Sequence, residues 1–538
     1  MDDPQPQADA PPPAPATQRP SLWRTALAGL IAAGLALGIG ELVAGISSRL
    51  SAPVISVGNR VVDAVPGSVK DFAIETFGTN DKKALLIGIY SFVAVFGLVL
   101  GILAGRRWWI GAIGIGLFAA VGIWAAGQEV GAPFWAGLPS LVGAAAGIAV
   151  LAVLLATIPG ASHPAVVDHL GGAGSPAGPG EPTGPLARRG FLKASAAVVA
   201  VGTVAAVGGR WLQGRFSAAA SRLAVTLPKP VKPVPPIADG ASVDLKGISP
   251  FVTSNADFYR IDTNLTVPQL AAEDWSLKIT GMVDDELTFS YQDILDMDMI
   301  EERITMTCVS NEVGGGLVGT AEWLGVPLED LLGRAGIQKK ADQIVGRAFD
   351  GFTTGFPVDT LDGRPAMLAV GMNGEPLPLV HGFPARIIVP GLYGFVSATK
   401  WLTEIELTTF ADFDQYWVKR KWSDRGPIKT MSRIDTPKGL GKVQAGPARI
   451  GGVAWAQTRG IDKVEVKLDD GEWTEAKLAA EDSTITWRQW TYEFDATPGR
   501  HQVTCRATDG TGETQTEERA KPFPNGASGW HSVAFLVD

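Results

Sequence analysis

The sequence predicts a multi-domain protein with an N-terminal α-helical membrane region, a mixed α+β domain and a C-terminal all-β sandwich. Three observations lead to this prediction. A chain of 538 residues is too long for a single hydrophobic core. Apolar runs of about 20 residues, the length that spans a bilayer, are concentrated in the first part of the chain. The last hundred or so residues instead show short alternating runs between turn signals, which is typical of a sandwich.

The composition argues against several classes of function. The net charge of −9 makes a nucleic-acid partner improbable, and no basic stripe with interleaved aromatic residues is apparent. Two cysteines cannot form a disulfide framework, and no Cys-x-x-Cys pair is present for zinc or an iron–sulfur cluster. None of the five histidines and eight methionines lies in an apolar run, so the membrane region is not expected to bind haem. Gly111, Gly114 and Gly116 in the third run are interpreted as helix-packing residues rather than an NAD-binding loop.

The N-terminal part of the chain is predicted to be a tail followed by a membrane region. Residues 1–20 are rich in Pro, Ala and Gln without periodicity, which indicates disorder. The membrane region, 21–158, contains four predicted transmembrane helices, at about 25–46, 84–105, 108–127 and 136–158. Buried core helices are the alternative, but uncharged runs of this length are rare in soluble domains. Glu41 lies near the end of its run and is expected at the membrane interface.

A fifth apolar run has an unusual beginning. It follows a Gly/Pro/Ser-rich flexible linker, 159–187. The segment 188–212 starts with Arg188-Arg189-Gly190-Phe191-Leu192-Lys193, which resembles a twin-arginine export signal of the type R-R-x-F-L-K. Twin-arginine transport is associated with proteins that fold, often around a cofactor, before they cross the membrane. An ordinary basic anchor before a fifth transmembrane helix is the alternative.

The short connections between the apolar runs predict the orientation. Arg106 and Arg107 join the second and third runs, and another arginine pair precedes the fifth, whereas the connection between the third and fourth runs has no Lys or Arg. The positive-inside rule then predicts a multi-pass protein of the cell membrane, with a cytoplasmic N-terminus and an extracytoplasmic domain after the fifth helix. The basic residues of the connection 47–83 oppose this orientation, but that connection is long and also carries acids.

The part of the chain after residue 212 is predicted to form three regions. Repeated prolines indicate a Pro-rich spacer over 213–244 that holds the following domain away from the membrane. The α+β domain covers 245–430; it includes a strand at 300–304 and a helix that begins at Pro327. The all-β sandwich covers 431–538, where alternation places Cys505 on a buried face.

Cys308 is the first candidate for chemistry. It follows the predicted strand and precedes three consecutive glycines, Gly314 to Gly316, which let the backbone pass close to a bulky group. A free cysteine is also among the most buried residue types, so a core cysteine is an equal alternative.

A second candidate is a set of loops at 372–386, 389–395 and 399–401. They bring His381, Arg386 and Lys400 together with glycines that allow close approach. Arginine, lysine and backbone N–H groups are the donors that bind phosphate, so the set suits a phosphate-bearing ligand. A surface loop with ordinary charges is the alternative.

These motifs, taken in order, resemble a known family. The series is Cys308-x-x-Asn311, Asp350-Gly351-Phe352, Met372-Asn373-Gly374-Glu375-Pro376-Leu377-Pro378, His381-Gly382-x-Pro384-x-Arg386 and Lys400-Trp401. It resembles the sulfite oxidase-type molybdopterin oxidoreductases. The motifs Ala454-Trp455, Val464-Glu465-Val466, Asp470-Gly471 and Trp473-x-x-Ala476 resemble the immunoglobulin-like dimerisation domain of that family. The resemblance covers about 245–538 and says nothing about the membrane region.

The resemblance implies a molybdenum-molybdopterin cofactor and a role for eight residues. Cys308 would be the catalytic thiolate ligand of the metal. Asn255, Tyr259 and Asp350 would contact the pterin. Its phosphate end would be held by four residues, His381, Arg386, Thr399 and Lys400. The implied reaction is a two-electron oxygen-atom transfer on sulfite or a related small oxyanion or sulfur compound, with a separate electron carrier and a homodimer formed through the C-terminal domain.

Two departures from the family pattern leave the substrate open. Sulfite-oxidising relatives tend to have arginines beside the pterin-contacting asparagine and just after the cysteine. The corresponding segments of this chain, 252–255 and 311–313, contain no arginine. Glu312 would repel sulfite if it faced the site. A sulfoxide-type reductase on the same scaffold is therefore an alternative, and so is a non-catalytic membrane protein whose outer domain is a binding module.

Overall fold

The computed structural model describes residues 19–66, 80–165 and 185–538, with single residues 69, 72, 76, 77 and 167 between them. The chain divides into two compact units, Met1–Phe216 and Ser217–Asp538. Almost all of the predicted tail and most of the predicted linker lie outside the described residues. The side chains of the predicted twin-arginine pair, Arg188 and Arg189, lie outside them too.

The described part of the first unit is helical. Its helices are α1 Leu22–Ala44, α2 Pro53–Ala64, α3 Asp81–Arg106, α4 Trp108–Gly127, α5 Leu138–Ala156 and α6 Pro185–Gly214. By length and composition, α1, α3, α4 and α5 could each cross a membrane, as could a fifth apolar segment, Gly190–Ala224. The five predicted apolar runs are therefore confirmed as helices. The membrane itself and the orientation stay predictions.

Small residues determine how closely these helices approach one another. A Cβ atom on Gly29 of α1 would lie 2.1 Å from the carbonyl oxygen of Gly97 in α3, so the two backbones touch. In α4, Gly111 and Gly114 face leucine side chains of neighbouring helices and leave no room for a methyl group, as expected for packing glycines. Gly116 has open space beside it and is not a packing residue.

One mixed sheet and one antiparallel sheet form the first part of the second unit. The strands are β1 Ser276–Gly281, β2 Leu287–Ser290, β3 Ile300–Thr307, β4 Val318–Pro327, β5 Gln343–Ala348, β6 Thr353–Pro357, β7 Met367–Met372, β8 Glu375–Pro376, β9 Arg386–Ile388 and β10 Leu402–Thr408. One sheet has the order β2-β1-β10-β5-β6, and the other has β3-β4-β7-β8 with β9 paired to β7. The short helices are α7 Ala219–Ala224, α8 Tyr291–Leu295, α9 Leu328–Gly333 and α10 Gly394–Ser397. Both sheets contribute to one hydrophobic core.

The predicted strand and helix of this region are present. The strand expected at 300–304 is the first part of β3, and α9 begins directly after Pro327, whose fixed φ suits the start of a helix. The Pro-rich segment lies along β3 within the second unit. The Val231 N–H donates to the Met299 carbonyl at 2.8 Å, and the Glu301 N–H donates to the Lys232 carbonyl at 2.9 Å.

Two facing sheets form the C-terminal part of the second unit. The strands are β11 Met431–Thr436, β12 Lys442–Val443, β13 Gly446–Trp455, β14 Ile461–Leu468, β15 Thr474–Glu475, β16 Lys477–Leu478, β17 Arg488–Ala496, β18 Gly499–Asp509 and β19 His531–Val537. The sheet orders are β11-β13-β17-β16 and β12-β19-β18-β14-β15. Their inner faces share a core that includes Trp490 and Phe535. Cys505 is fully buried in this core, as the alternation predicts.

Near its end, strand β3 is hydrogen-bonded to loops that join the C-terminal strands. The Thr305 N–H donates to the Ile485 carbonyl at 3.0 Å, and the Thr305 hydroxyl accepts from the Trp487 N–H at 2.7 Å. The Gln457 side-chain amide donates to the Thr305 carbonyl at 3.0 Å. The strand that leads to Cys308 is therefore held on both sides, by its own sheet and by the C-terminal region.

Candidate functional site

A pocket in the second unit brings most of the candidate residues together. It is lined by Cys308 and by five of the residues expected to bind a cofactor, namely Tyr259, Asp350, His381, Arg386 and Lys400. These residues come from distant parts of the sequence, so the sheets must form before the pocket exists.

Cys308 is positioned by a tight loop between β3 and β4. Its N–H donates to the Leu317 carbonyl at 2.9 Å, and its carbonyl accepts from the Asn311 N–H at 3.0 Å. The buried Asn311 side chain closes the loop by accepting from the Leu317 N–H at 2.8 Å. Burial raises the pKa of the Cys308 thiol, although hydrogen bonds from Ser310 act in the opposite direction. The thiol alone therefore holds its proton, and a metal ion has to displace it on binding.

The glycine turn after Cys308 is shaped by the C-terminal sheets. Gly314 has a φ of +80°, and a Cβ atom there would lie 2.3 Å from Nε2 of His531. The next residue, Gly315, offers its carbonyl to the Arg433 guanidinium at 2.8 Å. The bulky group that the glycines were expected to accommodate therefore includes a histidine ring of this same chain.

Arg386 is a buried cation with an unfilled donor. It is 5% exposed, and its Nη1 donates to the His381 carbonyl at 3.1 Å. Its Nε has no hydrogen-bond partner among the described residues. Burial lowers the pKa of Arg386 to about 10. A buried guanidinium with an open N–H is costly unless an anion or another acceptor meets it, so this position suits a phosphate or a similar group.

His381 is a neutral neighbour of that arginine. Its Nε2 lies 3.0 Å from the carbonyl oxygen of Asn255, which can only accept, so Nε2 carries the proton. Burial, with a further contribution from Arg386, lowers the pKa of His381 to about 4. The ring therefore supplies no charge at neutral pH.

Lys400 and Asp350 both have partners within the protein. The Lys400 ammonium pairs with the Asp262 carboxylate and donates to the Ile261 carbonyl at 3.1 Å. The Asp350 carboxylate accepts from the Asn264 side chain at 2.7 Å and from the Phe352 N–H at 3.0 Å. The charges of both side chains are thus at least partly compensated before any ligand binds.

Asn255 and Thr399 do not line the pocket. The Asn255 side chain donates to Glu375 at 2.5 Å and to the Met372 carbonyl at 3.2 Å, and its backbone carbonyl orients His381. Thr399 is fully buried, and its hydroxyl lies 2.6 Å from that of Thr354. Both residues therefore support the pocket wall in this structure.

Two residues of one pocket wall, Met306 and Trp417, were not predicted from the sequence. This wall is apolar and aromatic, and its members are Met306, Phe352, Phe395, Trp401 and Trp417. Met306 precedes Cys308 by two residues, so strand alternation could have found it. Trp417 follows β10 in a segment without periodicity, and no local signal points to it. Glu312 is exposed and is not a lining residue, so the anticipated repulsion of sulfite does not arise from this wall.

Comparison with known proteins places this pocket in a family. The profile of the oxidoreductase molybdopterin binding domain matches residues 264–417. Human mitochondrial sulfite oxidase is 27% identical over 343 residues, covering 53% of this chain and 62% of that protein. The uncharacterized oxidoreductase YuiH of Bacillus subtilis is 32% identical over 152 residues, covering 28% of this chain and 74% of that protein. The chain belongs to the sulfite oxidase-type molybdopterin oxidoreductases.

The similarity to this family is partial in length. The chain spans 62% of the length of the mammalian sulfite oxidases that it matches. The solved structure of the sulfane dehydrogenase SoxCD from Paracoccus pantotrophus has a TM-score of 0.48 and 22% identity. That similarity covers 53% of this chain and 83% of the SoxCD chain.

The residues of the pocket fit the cofactor of the molybdopterin oxidoreductases. Cys308 offers a soft sulfur ligand, which suits molybdenum held by other sulfur atoms. Arg386 offers a buried guanidinium whose Nε has no partner among the described residues, as a phosphate site requires. Tyr259 offers a phenol whose pKa is raised by burial and by the neighbouring Cys308, so it stays a hydrogen-bond donor.

Proposed function

We propose that this chain is a membrane-anchored molybdopterin-dependent oxidoreductase that moves an oxygen atom and two electrons. Its substrate would be sulfite or a related small oxyanion or sulfur compound. The observation that carries the proposal is that one pocket contains both a thiol suited to a metal and a buried arginine with an open donor. Family membership supports the same cofactor.

Each residue near the pocket would have a defined task. Cys308 would bind the metal as a thiolate after losing its proton. Arg386 would hold the phosphate end of the pterin, and Lys400, whose charge already faces Asp262, would add a weaker contact. Asn255 would act through its carbonyl by holding His381 in one tautomer. Thr399 would support the pocket wall through its hydrogen bond to Thr354.

Tyr259 and the pterin-contacting Asp350 would complete the pocket. Because the Tyr259 phenol keeps its proton, it can donate a hydrogen bond to an oxygen atom of the substrate beside Cys308. Asp350 would accept hydrogen bonds from the pterin ring while Asn264 keeps its carboxylate oriented. When bound, the molybdenum cofactor would supply the oxygen-atom exchange and accept the electron pair.

The overall reaction on sulfite balances with water as the oxygen source and a separate carrier as the electron acceptor. Sulfite and water give sulfate, two protons and two electrons. The electrons would leave one at a time to a separate carrier. In the opposite direction, an oxide of sulfur or nitrogen would take up two protons and two electrons and release water.

The location that we propose is based on the apolar helices and the sequence signals. We place the N-terminus in the cytoplasm and the pocket outside the cell membrane, with the twin-arginine-like segment at 188–212 as the export signal. The five apolar helices support membrane anchoring. The C-terminal region, 431–538, would be an immunoglobulin-like dimerisation domain, and its two facing sheets are compatible with this role.

Metal analysis of the full-length protein tests the proposal. The protein, produced with its cofactor pathway and purified in detergent, should contain about one molybdenum and one pterin per chain. X-ray absorption at the molybdenum edge should show one sulfur ligand fewer in Cys308→Ala. The matched variant Cys505→Ala removes the other buried cysteine and should leave the metal spectrum unchanged. An unaltered sulfur shell in Cys308→Ala would refute the ligand assignment, and a stable protein without metal would favour a binding module.

A sulfoxide-type reductase is a second candidate, because of the apolar wall. The wall of Met306, Phe395 and Trp417 suits a substrate with an apolar substituent, and sulfite has none. The assay compares sulfite with an artificial electron acceptor against methyl aryl sulfoxides with an artificial donor. Turnover of sulfite alone excludes the reductase, and turnover of the sulfoxides alone excludes sulfite as the substrate.

A further inference from the structure

A basic and aromatic surface lies next to the pocket. It consists of two segments, 417–425 and 521–526, which we call the basic–aromatic patch. The Ser423 N–H donates to the Pro524 carbonyl at 3.0 Å, and the rings of Trp422 and Phe523 are 5.3 Å apart. Because the segments are about a hundred residues apart in sequence, the chain alone shows no continuous basic stripe.

The patch has a net positive charge, whereas the chain as a whole has a net negative charge. The two segments contain five basic residues, Lys419, Arg420, Lys421, Arg425 and Lys521, and one acidic residue, Asp424. The chain as a whole has a net charge of −9. Lys419, Lys421, Arg425 and Lys521 are exposed. A local positive field on an acidic protein attracts negatively charged partners and raises their rate of association.

The apolar centre of the patch is in contact with the pocket wall. Phe523 is 52% exposed, which is unusual for a large aromatic side chain. It packs on Trp422, whose ring lies 5.8 Å from Phe395 and 5.8 Å from Trp417, both of which line the pocket. One layer of aromatic rings therefore separates the surface at Phe523 from the residues around Cys308.

We propose that the basic–aromatic patch is the docking site of a small acidic redox protein that exchanges electrons with the pocket. This inference rests on the proposed function, which requires a separate carrier. An apolar centre surrounded mainly by positive charges allows a brief, steered encounter. The short aromatic contact provides the path between the docked carrier and the site. Each docking transfers one electron, so two oxidised carriers are reduced for every two-electron turnover.

Electron release from the pre-reduced holoenzyme tests the docking directly. The full-length protein in detergent, with its molybdenum and pterin content measured, is reduced with dithionite and mixed with an oxidised carrier. The probe is a c-type cytochrome in two forms, the basic native protein and the same protein made acidic by succinylation of its lysines. Neutral p-benzoquinone and anionic ferricyanide serve as small acceptors. Because no substrate is involved, a failure of docking is distinguishable from a wrong substrate or an absent cofactor.

Paired charge reversals provide the matched comparison. Lys419→Glu/Lys421→Glu changes the patch, and Lys339→Glu/Lys340→Glu makes the same change at exposed residues that do not line the pocket. The first variant should slow reduction of succinylated cytochrome at least tenfold at low salt, and the second less than twofold. The difference should vanish at 1 M salt, where the Debye length is about 3 Å. Benzoquinone reduction should be unchanged in both variants.

Each other outcome contradicts the proposal. Equal rates for both variants would show that the patch does not receive the carrier. Equal slowing of benzoquinone would show damage to the pocket instead. An effect of the same size on ferricyanide would show that the patch steers small anions rather than a protein. Dissociation of a dimer in the patch variant, seen by light scattering, would show that a second copy of the chain covers this surface.

Discussion

Replacing Gly314 with alanine adds one methyl group where the structure has no room for it. The new Cβ atom would lie 2.3 Å from His531 Nε2, and the residue has a φ of +80°. A left-handed backbone costs a non-glycine residue about 1–2 kcal/mol, and overpacking adds about 1–3 kcal/mol. The His531 ring cannot move away easily, because its Nδ1 accepts from the Ile434 N–H at 3.0 Å. We therefore expect Gly314→Ala to destabilise the second unit by roughly 3 kcal/mol.

The measurement is thermal unfolding of the full-length protein in detergent, followed by tryptophan fluorescence, together with the molybdenum content. A loss of about 3 kcal/mol should lower Tm by roughly 4 °C for a unit that spans residues 217–538. Gly316→Ala is the control, because its Cβ atom meets nothing within 4 Å. In the double variant Gly314→Ala/His531→Ala the clash is absent. Its decrease in Tm should therefore be smaller than the sum of the decreases in the two single variants. Strict additivity, or a Gly314→Ala protein as stable as the wild type, would refute the reasoning.

Three further predictions concern other parts of the second unit. Arg386→Gln should reduce the amount of bound pterin at least tenfold. The control Arg364→Gln, which changes an arginine outside the pocket, should not reduce it. Equal pterin content in both variants would contradict the assignment of Arg386 to the phosphate. Burial, with a smaller effect of Arg433, lowers the pKa of His531 to about 4, so the unfolded chain binds a proton between pH 6.5 and 4 that the folded chain excludes. The free energy of unfolding should therefore fall with decreasing pH in this window, by at most about 3 kcal/mol from this group. Denaturant titrations should show that His531→Gln flattens this decline. An unchanged dependence on pH in the variant would disprove the assignment. Trp417→Ala should raise the KM for methyl aryl sulfoxides more than that for sulfite, and equal changes would argue against an apolar substrate site.

The sequence predicted the helices and the candidate site residues better than it predicted the packing around the site. Long apolar runs predict helices with little further information, because uncharged segments of that length are rare in soluble domains. The motif order predicted the residues that surround Cys308, of which five line the same pocket as Cys308. Trp417 of the aromatic wall was missed, because it reaches the pocket only through the packing of distant segments. Asn255 and Thr399 lie behind the wall for the same reason: a motif gives the identity of a residue and not the direction of its side chain.

The Pro-rich segment shows a different limit of sequence reasoning. Repeated prolines predicted an extended spacer, and the backbone of 228–236 lacks regular helix or sheet. An extended backbone also leaves its N–H and C=O groups available, and β3 is an edge strand of its sheet. Lys232 and Val231 pair with that edge, so an open sheet edge decides the position of the segment.

The hydrogen bonds between β3 and the loops that join the C-terminal strands restrict how this protein can have been assembled from modules. Thr305 alone receives or gives three contacts to residues beyond 456. A gene fusion or exchange that separated the chain near residue 430 would leave these groups without partners three residues before Cys308. The two C-terminal sheets and the pocket are therefore expected to be inherited together, and a graft of the pocket into another scaffold has to carry both.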